Sequence, residues 1–559
     1  MKKVKHVIKF FILFLLMSSC AVIGINTKRK TPRNPGKYPV FTLEDTLRGK
    51  LTHFRDSYDV TYYNIAIDLD IDNKFIKGSV DIFFSADKRI DTLQIDLYEN
   101  LKINSIVFQG QKLSFFRKYK AVFVMFPEAI ESGEHCVMTV HYEGKPVIAP
   151  KPPWEGGFVW KKDRDRKPWI GVACEQAGAS LWWPLKDHLT DEPDSAQISV
   201  TIPAGLFCVS NGILLNRTVM DDRETFIWKT TYPINSYNVT LYVGNFQHFQ
   251  LPYPKGDTIY PLDFYVLPRH LEKAQTHFQQ AADIIRIYES AFGEYPWWHE
   301  GYKLVESPYA GMEHQTAIAY GDKYKNVYGS SFDYIILHET AHEWWGNSIS
   351  TGDYAEIWLH EGFATYSEAL YIEYTKGHKA YLDYLSLYSI FIKNKRPMIG
   401  PFDVNYWDYR DTDVYMKGAL TLHTLRNIID HDSIFFDIIK TYYDRHKYSI
   451  VTTKDFIRIV NEKTGKDLNW FFDQYLYSRI CPQMEWNFVY NAASGNNEFR
   501  YRWNNIETDL EIPVKVKSGK AEYVLYPRQK LQVFNIKGET AIAINTENSY
   551  ISLNKNKNL

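Results

Sequence analysis

The sequence predicts an α+β multidomain protein: an N-terminal β-sheet domain, a mainly helical middle domain and a small C-terminal β-sandwich domain. Three observations carry this. The chain has 559 residues, several times what one hydrophobic core organises. From Tyr62 to Gln250 the apolar residues recur with a period of two, which buries one face of a sheet; from Leu267 they recur at three and four, which makes helices. Beyond Cys481-Pro482 the period of two returns.

Taken in order, residues 1–20 read as an export signal. Lys2, Lys3, Lys5 and Lys9 precede an apolar run from Phe10 to Met17, and Ser18-Ser19-Cys20 follows. Eight apolar residues cannot cross a bilayer, which takes about 20, but they match a signal core. The small pair before Cys20 is similar to a lipobox, so lipidation of Cys20 is expected, with plain secretion as the alternative. Residues 21–44, rich in Lys, Arg, Pro and Gly, read as a flexible tether. The β-domain is placed at 45–252; its clearest strand is Asn64–Asp72, where Ile65, Ile67, Leu69 and Ile71 alternate with Ala66, Asp68, Asp70 and Asp72. Shorter runs are Ser79–Phe84, Ala121–Phe126, Ala196–Ile202 and Asn238–Val243. The helical domain is placed at 253–479, opening with one long amphipathic helix through Leu271, Phe278, Ile285 and Tyr288. Residues 480–559 form the C-terminal domain, with Leu510, Ile512, Val514 and Val516 on one strand face.

Composition narrows function. Lys plus Arg is 65 against 66 for Asp plus Glu, a net charge of -1, so no global field attracts nucleic acid. Cys136, Cys174, Cys208 and Cys481 are too dispersed for a zinc ribbon or a CxxC motif, and pairing or burial as free thiols are both open. The expected setting is the cell envelope or periplasm, with membrane contact only through a lipid at Cys20.

The sharpest feature is His338-Glu339-Thr340-Ala341-His342. Four residues apart on a helix, the two imidazoles share a face and reach one ion, with Glu339 beside them to bond a water. Chance predicts this pattern roughly 0.03 times in such a chain. A zinc site needs a third ligand and an open position. Glu361 follows on a second helix, Ala355–Glu373, surrounded by Trp358, Leu359, Phe363 and Ala364; a carboxylate buried there wants a cation. Two imidazoles and a carboxylate leave one ion of Zn2+ a place for water, whose pKa falls to about 7 on coordination. Glu368, seven residues on, is either a partner orienting a histidine or a surface glutamate.

These residues, with Trp345-Gly346-Asn347, Glu361-Gly362-Phe363-Ala364 and Ala310-Gly311-Met312-Glu313-His314, resemble the gluzincin aminopeptidases of peptidase family M1, from about residue 55 to the C-terminus. The resemblance implies a thermolysin-like catalytic domain. It also implies that Gly311-Met312-Glu313 lies on an edge strand beside the metal, with Glu313 binding the substrate's free α-amino group. Ala310 and His314 replace the Gly and Asn usual in that segment. A second acid helps hold the amine; Glu175 in Ala173-Cys174-Glu175-Gln176 is the match, with Gln176 the competing assignment. Tyr415, in Tyr415-Met416-Lys417-Gly418-Ala419, matches the tyrosine that bonds the oxyanion. Tyr309 is expected to line the side-chain pocket, Tyr406, Trp407 and Tyr409 to wall the cleft, and Trp182 and Trp183 to face it. The helical fourth domain of many family members is not expected here.

The activity implied is a zinc aminopeptidase acting on peptides with a free N-terminus. His338, His342 and Glu361 hold zinc, Glu339 is general base then acid, and Tyr415 stabilises the oxyanion. The alternatives are a zinc endopeptidase, an epoxide hydrolase, or an inactive lipoprotein that binds peptides or a partner.

Overall fold

The computed structural model describes residues 36–327, 332–492, 496–536 and 541–559. The export signal and Cys20 lie outside them. No described helix is long and apolar enough to cross a membrane.

An eight-stranded sheet dominates the N-terminal part. At its centre Tyr58–Asp70 pairs antiparallel with Phe75–Ala86 and parallel with Ser195–Pro203. Ile65, Ile67 and Leu69 are buried, as the alternation requires. A three-stranded sheet (Ile90–Asp96, Ala121–Ile130, Ser114–Lys118) and a four-stranded one (Phe207–Ser210, Leu241–Gly244, Pro168–Ala173, Gly157–Lys162) complete this part. The run expected at Asn238 starts as a 3-10 turn, Ser236–Asn238, because the Asn235 side chain accepts the Tyr237 N–H.

The middle part opens with a strand, not a helix. Gln247–Lys255 pairs with Thr258–Val266, which pairs parallel with Tyr302–Glu306 and through it with Ile318–Tyr320. The division expected at 252/253 falls inside the strand Gln247–Lys255. The single long helix is two, Leu271–His277 and Gln280–Phe292, broken at Phe278-Gln279 so that Phe278 can stack on Phe264 and meet Tyr320. Helices Tyr334–His342, Trp358–Lys376, His378–Tyr388 and Asp413–Ile429 follow. The second of these starts three residues later than expected, after a 3-10 turn at Tyr354–Glu356 capped by Asp353.

The C-terminal part packs a four-stranded sheet against a three-stranded one. Val514 and Val516 lie on the strand Val514–Ser518; Leu510 and Ile512 are buried just ahead of it, outside any strand. The described residues form two apolar cores. One holds the N-terminal sheets together with Tyr309, Met312, Tyr354 and Trp407; the other runs from the middle helices into the C-terminal sheets.

The tether reading fails over its last residues. Tyr38 donates to the Gly400 carbonyl and Phe41 packs edge-on against Tyr406. Leu43–Gly49 is a helix with a Thr42–Asp45 capping box. Cys136, Cys174, Cys208 and Cys481 are all free thiols.

Candidate metal centre and amine subsite

Asp333 starts the HExxH helix by accepting the Ile335 N–H, and Ile336, Leu337 and Ala341 bury its apolar face. The opposite face carries His338, Glu339 and His342. His338 Nδ1 donates to Glu368 Oε1 at 2.8 Å and His342 Nδ1 to the Trp345 carbonyl at 2.8 Å. Both Nε2 atoms therefore present lone pairs. They stand 3.2 Å apart, and each is 3.4 Å from Glu361 Oε2.

Three proton-free acceptors converging in a buried site need a cation. Tetrahedral zinc ligands at 2.0–2.1 Å from the ion lie about 3.3–3.4 Å from one another, which this triangle matches. The donor set fits one zinc ion. Glu368 is buried rather than a surface glutamate, and its Oε2 accepts hydrogen bonds from Tyr384 and Tyr388, so it is fixed where it orients His338.

A backbone contact sets the relation of the next two residues. A Cβ on Gly362 would lie 3.0 Å from Gly418 Cα, and one on Gly418 2.8 Å from Gly362 Cα. The helices Trp358–Lys376 and Asp413–Ile429 thus touch main chain to main chain, one residue after Glu361 and about one turn after Tyr415. The Tyr415 ring lies 6.3 Å from that of His338. Burial first, then Glu361 and Glu175, raise its pKa far above the ordinary value, so the phenol keeps its proton and can donate.

Met312 bridges to Ala319 on the sheet edge, the Ala319 N–H donating to the Met312 carbonyl at 2.9 Å. This single bridge, rather than a full strand, carries Gly311-Met312-Glu313 past the HExxH helix. Gly311 is needed for room, since a Cβ there would stand 2.0 Å from Glu339 Oε1. Glu313, Glu339 and His342 bring ligand atoms within 4.8 Å of one another. Asn347, in the Trp345-Gly346-Asn347 segment, donates to the Glu313 carbonyl at 2.8 Å and to Glu343 at 3.2 Å, tying edge to helix. Glu313 Oε1 accepts from Tyr237 at 3.1 Å.

Glu175 follows the strand Pro168–Ala173 and is half-buried among the same charges. Burial, then Glu313, Glu361 and Glu339, push its pKa well above the usual carboxylate range. Its Oε1 has no hydrogen-bond partner among the described residues. Gln176, the competing assignment, is committed elsewhere: its Nε2 donates to the Trp407 carbonyl at 2.6 Å. Burial likewise pushes Glu339 up to about 8, Glu313 adding to the rise. Glu361, which burial alone would raise, is brought well below the usual range by His338 and His342. Glu175, Glu313, Glu339 and Glu361 thus set four acidic groups against two imidazoles, which leaves this cleft short of positive charge.

Other expectations change. His314 is buried beside Tyr242, its Nδ1 2.6 Å from the hydroxyl, and takes no part in the cleft. Tyr309 is packed on Gly171 with its hydroxyl on the Val172 carbonyl, so it ties the Glu313 and Glu175 segments together instead of shaping an open pocket. Trp182 and Trp183 are core residues, packed on Phe158 and Tyr63. Trp407 does stand beside Tyr415, at 6.0 Å between rings; Tyr409 stacks on Trp154 and Tyr406 packs on Tyr38 and Phe41.

The family models of the peptidase family M1 domain and the peptidase M1 N-terminal domain match residues 276–475 and 59–238, together more than half of the chain. Aminopeptidase N of Streptomyces lividans is 25% identical over 312 residues, 51% of this chain and 36% of that protein. Leucyl aminopeptidase of Saccharolobus solfataricus is 22% identical over 498 residues, 84% of this chain and 60% of that protein. The chain thus spans less than two thirds of these relatives. An M1 zinc metallopeptidase from Deinococcus radiodurans, solved as a mutant bound to a Tyr-Ser-Ala substrate, superposes with a TM-score of 0.64 at 20% identity, over 76% of this chain and 95% of that one. With its two matched domains, its metal triad and its Met-Glu edge segment, the chain belongs to peptidase family M1.

Proposed function

We propose that this protein is a zinc-dependent aminopeptidase that removes the N-terminal residue of peptides. The observation that carries the reading is the pair of buried Glu313 and half-buried Glu175, two carboxylates beside the metal triad. A substrate ammonium is the cation such a pair accepts.

His338 Nε2, His342 Nε2 and Glu361 Oε2 would hold the zinc. Bound there, zinc polarises the scissile carbonyl and makes water a nucleophile at neutral pH. Glu313 and Glu175 hold the ammonium, which allows only the first peptide bond to reach the triad. Glu339 takes a proton from the attacking water and hands it to the leaving amine. Tyr415 donates to the carbonyl oxygen as negative charge develops there. Glu368, held by Tyr384 and Tyr388, keeps His338 in the tautomer with Nε2 free.

The reading is tested by Glu339→Gln: one zinc per chain retained, turnover lost by about 10²–10⁴-fold. Comparable turnover in the purified variant would refute it. The domain limits, set before Gln247 and near 480, are part of the same proposal. So are export and lipidation at Cys20, supported by residues 1–20; a Cys20→Ser protein that still partitions with membranes would refute the anchor.

A further inference from the structure

The family matches begin at residue 59, yet the segment before it reaches the cleft. The helix Leu43–Gly49 is fastened to the N-terminal domain through the carbonyls its C-terminus leaves open. Gln94 Nε2 donates to the Leu47 carbonyl at 3.0 Å, Arg55 Nη1 to that of Arg48 at 2.7 Å, and His188 Nε2 to that of Gly49 at 3.1 Å. Its other side meets the two segments at the amine end of the cleft. Gly49 lies so close to the loop before Trp407 that a Cβ would stand 2.4 Å from the Val404 nitrogen. Arg48 is half-buried, and its guanidinium donates to the Gln176 carbonyl.

Gln176 needs that support. Its φ is +54°, a left-handed conformation that costs a non-glycine residue about 1 kcal/mol or more. Three bonds hold it: its N–H donates to the Tyr354 hydroxyl at 2.7 Å, its carbonyl accepts from Arg48, and its Nε2 donates to the Trp407 carbonyl at 2.6 Å. Glu175 is the residue immediately before. Gly178, two residues after, has its side-chain space filled by Asp187 and by Arg48 Nη2, 2.8 Å from a would-be Cβ. The turn therefore closes around the guanidinium.

We propose that Arg48 is a positioning residue for substrate-amine binding: by locking the Gln176 turn it stations Glu175 opposite Glu313. This rests on the aminopeptidase reading. The guanidinium can bond the Gln176 carbonyl while facing Asp187, which a single ammonium does less well.

The test compares wild type, Arg48→Met, Arg48→Lys and Tyr354→Phe on an L-aminoacyl p-nitroanilide, with zinc content and thermal melting measured alongside. Arg48→Met should raise KM about tenfold or more, the cost of one charged hydrogen bond, with kcat nearly unchanged and zinc retained. Arg48→Lys should recover part of the loss. Tyr354→Phe, which removes the other backbone bond of the same turn, should shift KM in the same direction and keeps the test open if Arg48→Met does not fold. An unchanged KM in the folded variants, or a fall in kcat together with loss of zinc, would overturn the assignment. Calorimetric binding of L-phenylalaninamide against its N-acetyl derivative separates the two ideas. A zinc-loaded wild type without turnover contradicts the aminopeptidase reading, whereas equal amine affinity in wild type and the variants contradicts the role of Arg48.

Discussion

In the proposed reaction Glu339 moves the proton while Tyr415 and Glu313 meet charge on the substrate, and the removal of Tyr415 and of Glu313 should be distinguishable. Tyr415→Phe keeps the ring and loses the one donor aimed at the developing charge. Steady-state kinetics should show kcat lowered by about 10²–10³-fold with KM little changed. Glu313→Ala should do the reverse in emphasis, raising KM by about tenfold or more, because it removes the charge that meets the ammonium. The buried acids also give the metal-free protein a definite pH dependence. Glu192 and Glu343, raised to about 7 chiefly by burial, and Glu339, raised to about 8, bind protons in the folded state that the unfolded chain has released. Stability from these groups is present at low pH and is lost as pH rises through their folded values. His314 and His360, held down to about 3 by burial, act with the opposite sign, but only below about 6.5, where the unfolded chain takes up protons. Between pH 6.5 and 8 the acids act without that opposition, so the melting temperature of the metal-free protein should fall across this window.

Among the elements, the contact of Gly362 with Gly418 does most to fix the geometry, since it sets Glu361 and Tyr415 in one relation to the HExxH helix. Gly418→Ala would force the two helices apart. It should destabilise by about 1–3 kcal/mol in chemical denaturation and lower kcat more than a surface Gly→Ala such as one at Gly465. This scale also explains what the sequence discloses. His338, Glu339 and His342 are legible because a helix brings i and i+4 to one face whatever the rest of the fold does. Glu361 is legible from its apolar neighbours. Tyr237, Tyr384 and Arg48 are not: each reaches the site from a distant segment, and no local period marks a residue whose partner is 76, 16 or 128 positions away. No local period tells whether the adjacent Trp182 and Trp183 face the cleft or the core. The 3-10 turn at Ala179–Leu181 leads both into the core.

At the scale of the whole molecule, the C-terminal sheets are not an appendage. Met484, Phe499 and Trp503 share one core with the catalytic helices, Tyr475 donates to the Tyr550 carbonyl, and Asn427 donates to Ser549. A chain ending at residue 479 would expose that surface, and it should lose its cooperative melt and sediment with aggregates rather than fold as a smaller enzyme. The N-terminal core in turn encloses Tyr309, Met312 and Trp407, so the sheet domain forms the amine end of the cleft while the helices form the metal end. On the proposed reading, one part recognises the free N-terminus and the other cleaves beside it. The measurement that tests this most directly is kcat/KM of the zinc-loaded protein on one short peptide with a free N-terminus and on the same peptide N-acetylated. A free-amine preference of about 10³-fold or more is expected, because the blocked peptide leaves Glu313 and Glu175 without their cation. Equal cleavage of the two, or cleavage only at internal bonds, would contradict the account.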